Sequence, residues 1–166
     1  MIKFQNSVTS YGSQLKDIEK AFDALSKKEL LLGVMQEGRT TTKPGKRELT
    51  NSEIAFLNEF GAPELAIPER PFLFPVLNEN INEIKQALWQ AAEFALAGND
   101  ADCDRQLHSL GMYLVNKIKE RILNFIPPAL SPKTIAKRVA RGNTDTTPLK
   151  DTSNLFNSIG YNVGNR

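Results

Sequence analysis

Cysteine and histidine each occur only once in this chain of 166 residues. Because Cys103 has no second cysteine to pair with, an internal disulfide is excluded and a reducing compartment is favoured. Cys103 and His108 stand five positions apart, which on a helix turns their side chains roughly 140° away from each other. A zinc site or a Cys–His or Ser–His–Asp arrangement would need partners that the sequence does not supply. We therefore expect no catalytic residue, no metal ligand and no cofactor.

Long apolar runs and a strong net charge are also missing. No segment approaches the roughly 20 apolar residues of a membrane helix, and the N-terminal residues lack the hydrophobic region of a secretory signal. The net charge is +2, which is too weak a field to predict nucleic-acid binding by itself. Neither a P-loop nor a G-x-G-x-x-G turn occurs. These absences favour a soluble, intracellular protein that acts through its surfaces.

Three alternating aspartates, Asp100, Asp102 and Asp104, look like the start of a calcium loop. The position that requires glycine is Arg105, however, and the position that requires glutamate is Gly111. Acidic residues are favourable at the start of a helix because they interact with the positive end of its dipole. We predict that the aspartates lie at a helix N-terminus and bind no metal.

Apolar periodicity predicts one α+β domain over residues 1–166, with a small, mostly antiparallel sheet covered by helices. The predicted elements are strands over 30–36 and 158–163 and long helices over 12–26, 79–97 and 104–125. Trp89 lies off the main apolar stripe of its helix. Its position indicates either a helix covered on two sides or a contact with another subunit.

Two shorter helices are predicted from their capping residues. Thr50 followed by Glu53 forms a capping box, and Gly61 can end that helix in a left-handed conformation. Ser131 caps a second helix that has Pro132 at its first position.

A proline-rich connector over 61–77 and two polar loops over 38–48 and 142–150 join these elements. The four prolines of the connector fix φ and favour extended geometry in the residues before them, which predicts a stiff, projecting arm. Its aromatic side chains dock either on a neighbouring subunit or on the chain's own core, and the sequence leaves both open. The loop over 38–48 has no periodicity and is expected to be exposed and mobile.

Basic residues concentrate in two places. The first group lies in the loop over 38–48 and contains Arg39, Lys43, Lys46 and Arg47. The second group lies on the predicted helix after Ser131 and contains Lys133, Lys137, Arg138 and Arg141. Either group can be a solvated surface, or it can contact phosphate groups or a partner.

Three separated segments share a pattern with one known family. The first segment, which contains Asn58–Gly61 and Ile67–Phe72, resembles the E-[FY]-G … I-P-x-R-P-F pattern of small tailed-bacteriophage morphogenesis proteins, which are called neck, tail-completion or head–tail joining proteins. Leu130–Arg138 and Pro148–Ile159 resemble two further segments of that family in the same order. One departure is Ser153, at a position where the family usually has glycine. A glycine there would permit positive φ, so we expect the local turn to take another form.

The resemblance implies a non-enzymatic structural protein of the virion, located at the junction of capsid and tail and in the host cytoplasm before assembly. It implies a homo-oligomeric ring around the DNA channel, with capsid connector, neck or tail proteins as further partners and no tight DNA binding. The residues expected at the subunit or partner interface are Ile67, Arg70, Phe72, Phe74, Arg39, Lys43, Lys46 and Arg47. The alternative is a small DNA-binding module that uses Lys133, Lys137, Arg138 and Arg141 to contact phosphates.

Overall fold

In a computed structural model of the protein, residues 16, 19–20, 22–23, 26–35, 39–40 and 49–165 are described. In chain order, the elements are β1 (Lys28–Val34), β2 (Arg39–Thr40), β3 (Leu49–Thr50), α1 (Asn51–Phe60), α2 (Phe74–Glu79), α3 (Ile81–Leu96), α4 (Asp100–Leu123), α5 (Pro132–Val139), α6 (Asn154–Ser158) and β4 (Ile159–Asn165). The predicted helix over 12–26 lies partly outside the described residues. Those of its positions that are described, up to residue 26, are helical.

The main sheet pairs the first strand with the last. β1 and β4 run antiparallel, with Leu30 opposite Val163 and Leu32 opposite Tyr161. Since directly opposite residues point to the same face of a sheet, these four side chains form one apolar face toward the helices. The α+β class is confirmed, and both predicted strands lie within two residues of their observed bounds.

A hairpin of two long helices, α3 and α4, covers this face. α4 begins at Asp100, four residues before the predicted start, because the Asn99 side chain accepts a hydrogen bond from the Asp102 N–H. Gly111 lies against the ring of Tyr161 so closely that a Cβ there would be 2.3 Å from a ring carbon. A glycine in this helix therefore permits close packing on β4. Within the described residues, no helix combines the length and the apolar character needed to cross a membrane.

One core cluster joins the sheet, α4 and the connector. Its buried members are Phe72, Val76, Val115, Ile118, Ile122, Ile126 and Ile159. Trp89, on the outer side of α3, is exposed, and its indole N–H donates to Glu93 of the same helix at 2.9 Å. The interpretation that α3 is covered on two sides is therefore wrong for Trp89.

The predicted caps are present. In the capping box of α1 the Thr50 side chain accepts from the Glu53 N–H at 3.2 Å, and Glu53 accepts from the Thr50 N–H at 3.0 Å. Ser131 caps α5. Gly61 follows α1 with φ of 71° and ψ of 168°, so its φ is positive as predicted, although its ψ is extended rather than left-handed helical.

The connector is shorter than predicted and is partly regular. A 3-10 turn spans Pro63–Leu65, Ala62 bridges to Ile67, and α2 begins at Phe74. Within the loop predicted over 38–48, the backbone of residues 39–40 forms a short antiparallel ladder with residues 49–50, in which Arg39 pairs with Thr50 and Thr40 with Leu49. Residues 41–48 lie outside the described residues.

Candidate functional site

The end of α1 is joined to the connector by a buried carboxylate. Glu59 accepts hydrogen bonds from the N–H groups of Phe72 at 2.8 Å, Leu73 at 3.0 Å and Phe74 at 2.8 Å. The first N–H groups of a helix have no partner within it, and α2 begins at Phe74. A side chain that is 13 positions earlier in the sequence therefore caps α2, which explains why E-F-G and R-P-F occur together in this chain.

Arg70 is a second anchor of the connector. Its backbone N–H donates to the Asn58 carbonyl at 2.7 Å. Its guanidinium donates from Nε to the Pro128 carbonyl at 2.9 Å and from Nη2 to the Ala129 carbonyl at 3.3 Å. Burial lowers the pKa of Arg70, and the nearby charge of Arg138 lowers it further. The residue is therefore an internal tie between the connector and the segment after α4.

Phe72 lies in the core and is only 4% exposed. We expected Phe72 and Arg70 to contact a neighbouring subunit, and for these two residues the expectation is wrong. Burying a phenylalanine ring removes a large apolar area from water, and Glu59 holds the adjacent backbone at the depth where this ring reaches the core. The second of the two alternatives left open by the sequence, docking on the chain's own core, holds for this part of the connector.

The opposite side of the connector presents exposed aromatic rings. Phe56, Phe60 and Phe74 are 62%, 52% and 49% exposed. The ring centroids of Phe56 and Phe60 lie 4.8 Å apart, and those of Phe60 and Phe74 lie 5.8 Å apart. We call these three residues the aromatic surface. Contiguous exposed apolar groups of this kind mark interaction sites on soluble proteins.

Two grooves flank the aromatic surface. A cavity of about 230 Å³ lies between α1 and the start of α2, and one of about 700 Å³ lies between the connector and the start of α5, with Phe60 lining both. Ile67, which is half-buried, lines the larger groove. Of the residues predicted from the connector, Ile67 and Phe74 thus remain accessible, whereas Phe56 and Phe60 were missed. Their spacing of four positions on α1, which places two rings side by side on one helix face, was the available signal.

The second basic group does not form a continuous basic face. Arg138 is 5% exposed, and its Nη1 donates to the carbonyls of Asp145 and Thr147, each at 2.9 Å. Arg141 is paired with Asp151 at 2.8 Å. Lys133 and Lys137 are exposed. Arg138 is therefore not part of an exposed basic face, since its side chain ties α5 to the loop over 142–150.

The first basic group is described only in part. The backbone of Arg39 lies in β2, and Lys43, Lys46 and Arg47 lie outside the described residues.

The three segments that carry the family pattern meet at one small cavity of about 220 Å³. The connector contributes Arg70, the second segment contributes Leu130 and Arg138, and the third contributes Asp151 and Leu155. These residues are separated by up to 85 positions in the sequence (155 − 70). The pattern thus corresponds to a single packed unit.

The residues that suggested chemistry are separated in the structure. Cys103 is fully buried, and this burial raises the pKa of its thiol. His108 is exposed on α4, with its Nδ1 3.4 Å from the Tyr161 hydroxyl. Among the described residues, no group of three or more histidine, cysteine, aspartate or glutamate side chains is arranged to hold a metal ion. The aromatic surface therefore remains the best candidate for a functional site.

Comparisons with known proteins add no relative. No family model, no curated protein and no solved structure matches the chain.

Proposed function

We propose that this protein is a non-enzymatic structural subunit of a tailed-bacteriophage virion, located at the junction of capsid and tail. It binds its neighbours, which are further copies of itself in a ring and the adjoining connector, neck or tail proteins, through the aromatic surface. The protein resides in the host cytoplasm before assembly and in the virion afterwards. It needs no cofactor, and DNA passes near it without tight binding.

One observation carries the proposal: three contiguous phenylalanine rings are exposed on a rigid base. The base is rigid because the buried side chains of Glu59 and Arg70 hydrogen-bond to the backbone of the connector and of the segment after α4. Aromatic side chains that are already held in place lose little conformational freedom on binding, so more of their burial appears as affinity. A surface of this kind suits repeated contacts between identical subunits.

The motif resemblance supports the location in the virion. The three segments of the pattern occur in family order and pack together around one cavity, as expected of segments that form one structural unit. The one buried cysteine and the exposed, solitary histidine offer no nucleophile and base in contact.

The test compares two exposed apolar surfaces of the same chain. We expect Phe60→Ser combined with Phe74→Ser to abolish rings and mixed complexes with purified capsid connector and tail components, as seen by sedimentation velocity and negative-stain microscopy. Met112→Ser, at an exposed apolar position of α4, is the control and should assemble like the unchanged chain. Circular dichroism and urea unfolding should show that all variants are folded.

Particles provide the second readout. Mass spectrometry of purified virions, produced by the phage genome that carries the gene, should detect the chain, and loss of the gene should leave filled capsids and separate tails. A chain that is absent from these particles, or that assembles equally well without Phe60 and Phe74, would contradict the proposal.

A further inference from the structure

The cavity at which the three motif segments meet has unusual walls. Two arginines, Arg70 and Arg138, line it, and both are more than nine-tenths buried. The polar side chains of Asn58, Ser153 and Asn154 also contribute to its lining. Arginine is among the residues least often buried without a charged partner.

Asp151 is the one acidic residue among the described residues that line the cavity. One of its oxygens accepts from Arg141 at 2.8 Å, and the other lies 3.5 Å from Arg138 Nε, which makes no hydrogen bond. Within the described part of the chain, the hydrogen-bond partners of the Arg70 guanidinium are two backbone carbonyls, and no carboxylate lies within ion-pair distance of it. Among the described residues that line the cavity, two guanidinium groups therefore accompany one carboxylate, which also pairs with Arg141 outside the lining, and the cavity keeps a positive excess.

We propose that this cavity binds one oxyanion group, a phosphate or a carboxylate, between Arg70 and Arg138. Arginine suits such a ligand because its planar fork of N–H donors matches the oxygens of both groups. Arg70 Nη1 and Arg138 Nη2 make no hydrogen bond within the described part of the chain and are not fully buried, so they offer donors, and the Ser153 hydroxyl, which caps no backbone group, offers another. A bound anion would compensate the charge of these two buried guanidinium groups.

The size of the cavity limits the ligand to a small group. Its volume of about 220 Å³ is below the roughly 300–1,000 Å³ of sites for drug-sized ligands. The anion can be a free phosphate, or it can be the carboxylate at the end of a chain or side chain of a binding partner. Because the site lies in the isolated subunit, this inference does not depend on the proposed assembly role.

Thermal unfolding of the full chain in increasing sodium phosphate, against sodium chloride at constant ionic strength, tests the site. A ligand that binds only the folded state raises Tm in a saturable manner. Because Arg70 and Arg138 also hold the fold together, the variant of choice is Asn154→Asp, which places a negative charge on an exposed residue of the lining. Asn157→Asp adds the same charge to an exposed residue of the same helix, outside the lining.

We expect phosphate to raise Tm equally for the unchanged chain and for Asn157→Asp. For Asn154→Asp the half-saturating phosphate concentration should rise about tenfold or more, since tenfold in affinity corresponds to about 1.4 kcal/mol. Equal saturable phosphate responses of the two aspartate variants, or no response to phosphate, acetate or a peptide with a free C-terminal carboxylate, would overturn the proposal.

Calorimetric titration with carboxylates identifies the source of the anion. Acetate and a short peptide with a free C-terminal carboxylate are compared with the same peptide amidated at its C-terminus. Binding of the free peptide alone supports a carboxylate from a partner chain. Binding of phosphate without either carboxylate supports a free phosphate. Binding of the amidated peptide as strongly as the free one would contradict an oxyanion site.

Discussion

The inner and outer sides of the connector both carry phenylalanine, but the ring is buried in the core on the inner side and exposed on the outer side. On the inner side, Phe72 lies in the core and the Glu59 carboxylate accepts from three backbone N–H groups. On the outer side, Phe60 and Phe74 are about half exposed and contact each other. Phe72 and Phe74 are separated by one residue, so an aromatic pattern alone does not distinguish a core residue from an interface residue. The hydrogen bonds around the two residues do distinguish them.

The largest difference in stability is expected between variants of Phe72 and Phe74, the residues at which the inner and outer sides are closest in sequence. Phe72→Ala should lower the free energy of unfolding by about 3–5 kcal/mol, because a buried ring is lost and the cavity collapses only in part. Phe74→Ala, two residues later and half exposed, should lower it by less than about 1.5 kcal/mol. Urea unfolding followed by circular dichroism measures both. Equal losses would mean that the division into an inner and an outer side is wrong.

The next largest loss of stability is expected at Glu59, whose carboxylate fixes which side of the connector faces the core. Glu59→Ala leaves the N–H groups of Phe72, Leu73 and Phe74 without their acceptor, and we expect a loss of about 2–4 kcal/mol because buried donors without partners are costly. Glu64→Ala removes an exposed acid from the same connector and should change stability by less than about 0.5 kcal/mol. Urea midpoints give the comparison. A Glu59→Ala variant as stable as Glu64→Ala would show that water replaces the carboxylate.

Much of the architecture could be predicted from local patterns. The stripes of α3 and α4 and the alternation in β4 depend on neighbours three, four or two positions away, and the capping box depends on Thr50 and Glu53 alone. These signals identify an element without knowledge of its surroundings. The α+β class follows from them.

The assignment of residues to the two sides of the connector could not be predicted in this way. Whether Phe72 or Phe74 is buried depends on Glu59, and the depth of Arg70 depends on carbonyls of Pro128 and Ala129, which are 58 and 59 positions away. Such long-range hydrogen bonds leave no periodic signal. The same holds for Arg138, whose partners lie in a polar loop that looked featureless.

A smaller, pH-dependent contribution to the free energy of unfolding comes from the loop over 142–150, to which Arg138 is hydrogen-bonded. Hydrogen bonds from the Thr147 side chain and backbone, supported by Lys150, lower the pKa of Asp145 to about 2 from an ordinary value of 3.8. A lowered pKa contributes stability that is present above pH 3.8 and is lost as pH falls toward 2. Asp145 is about one-third exposed, so solvent screening reduces the contribution to about 1 kcal/mol or less.

Asp145→Asn should therefore be less stable than the unchanged chain at pH 6, and this difference should shrink between pH 4 and pH 2.5. Urea midpoints at these three pH values measure the change. The outcome that contradicts the assignment is a difference that stays constant or grows on acidification.

The smallest effect concerns Ser153, which departs from the family pattern. We expected serine to change the local turn, but Ser153 adopts the left-handed conformation, with φ of 60° and ψ of 3°, and so that expectation is wrong. A side chain in this conformation costs roughly 1–2 kcal/mol, and glycine avoids most of this while losing more freedom on folding. Ser153→Gly should thus stabilise the chain by about 0.5–1 kcal/mol in urea unfolding, whereas Ser153→Ala, which keeps the Cβ, should not.

Because Ser153 lines the cavity with Arg70, a more stable Ser153→Gly variant with a weaker phosphate response would show that the strained serine is retained for its hydroxyl. If Ser153→Gly is no more stable than Ser153→Ala, the turn is unstrained and the departure from glycine has no energetic consequence on the inner side.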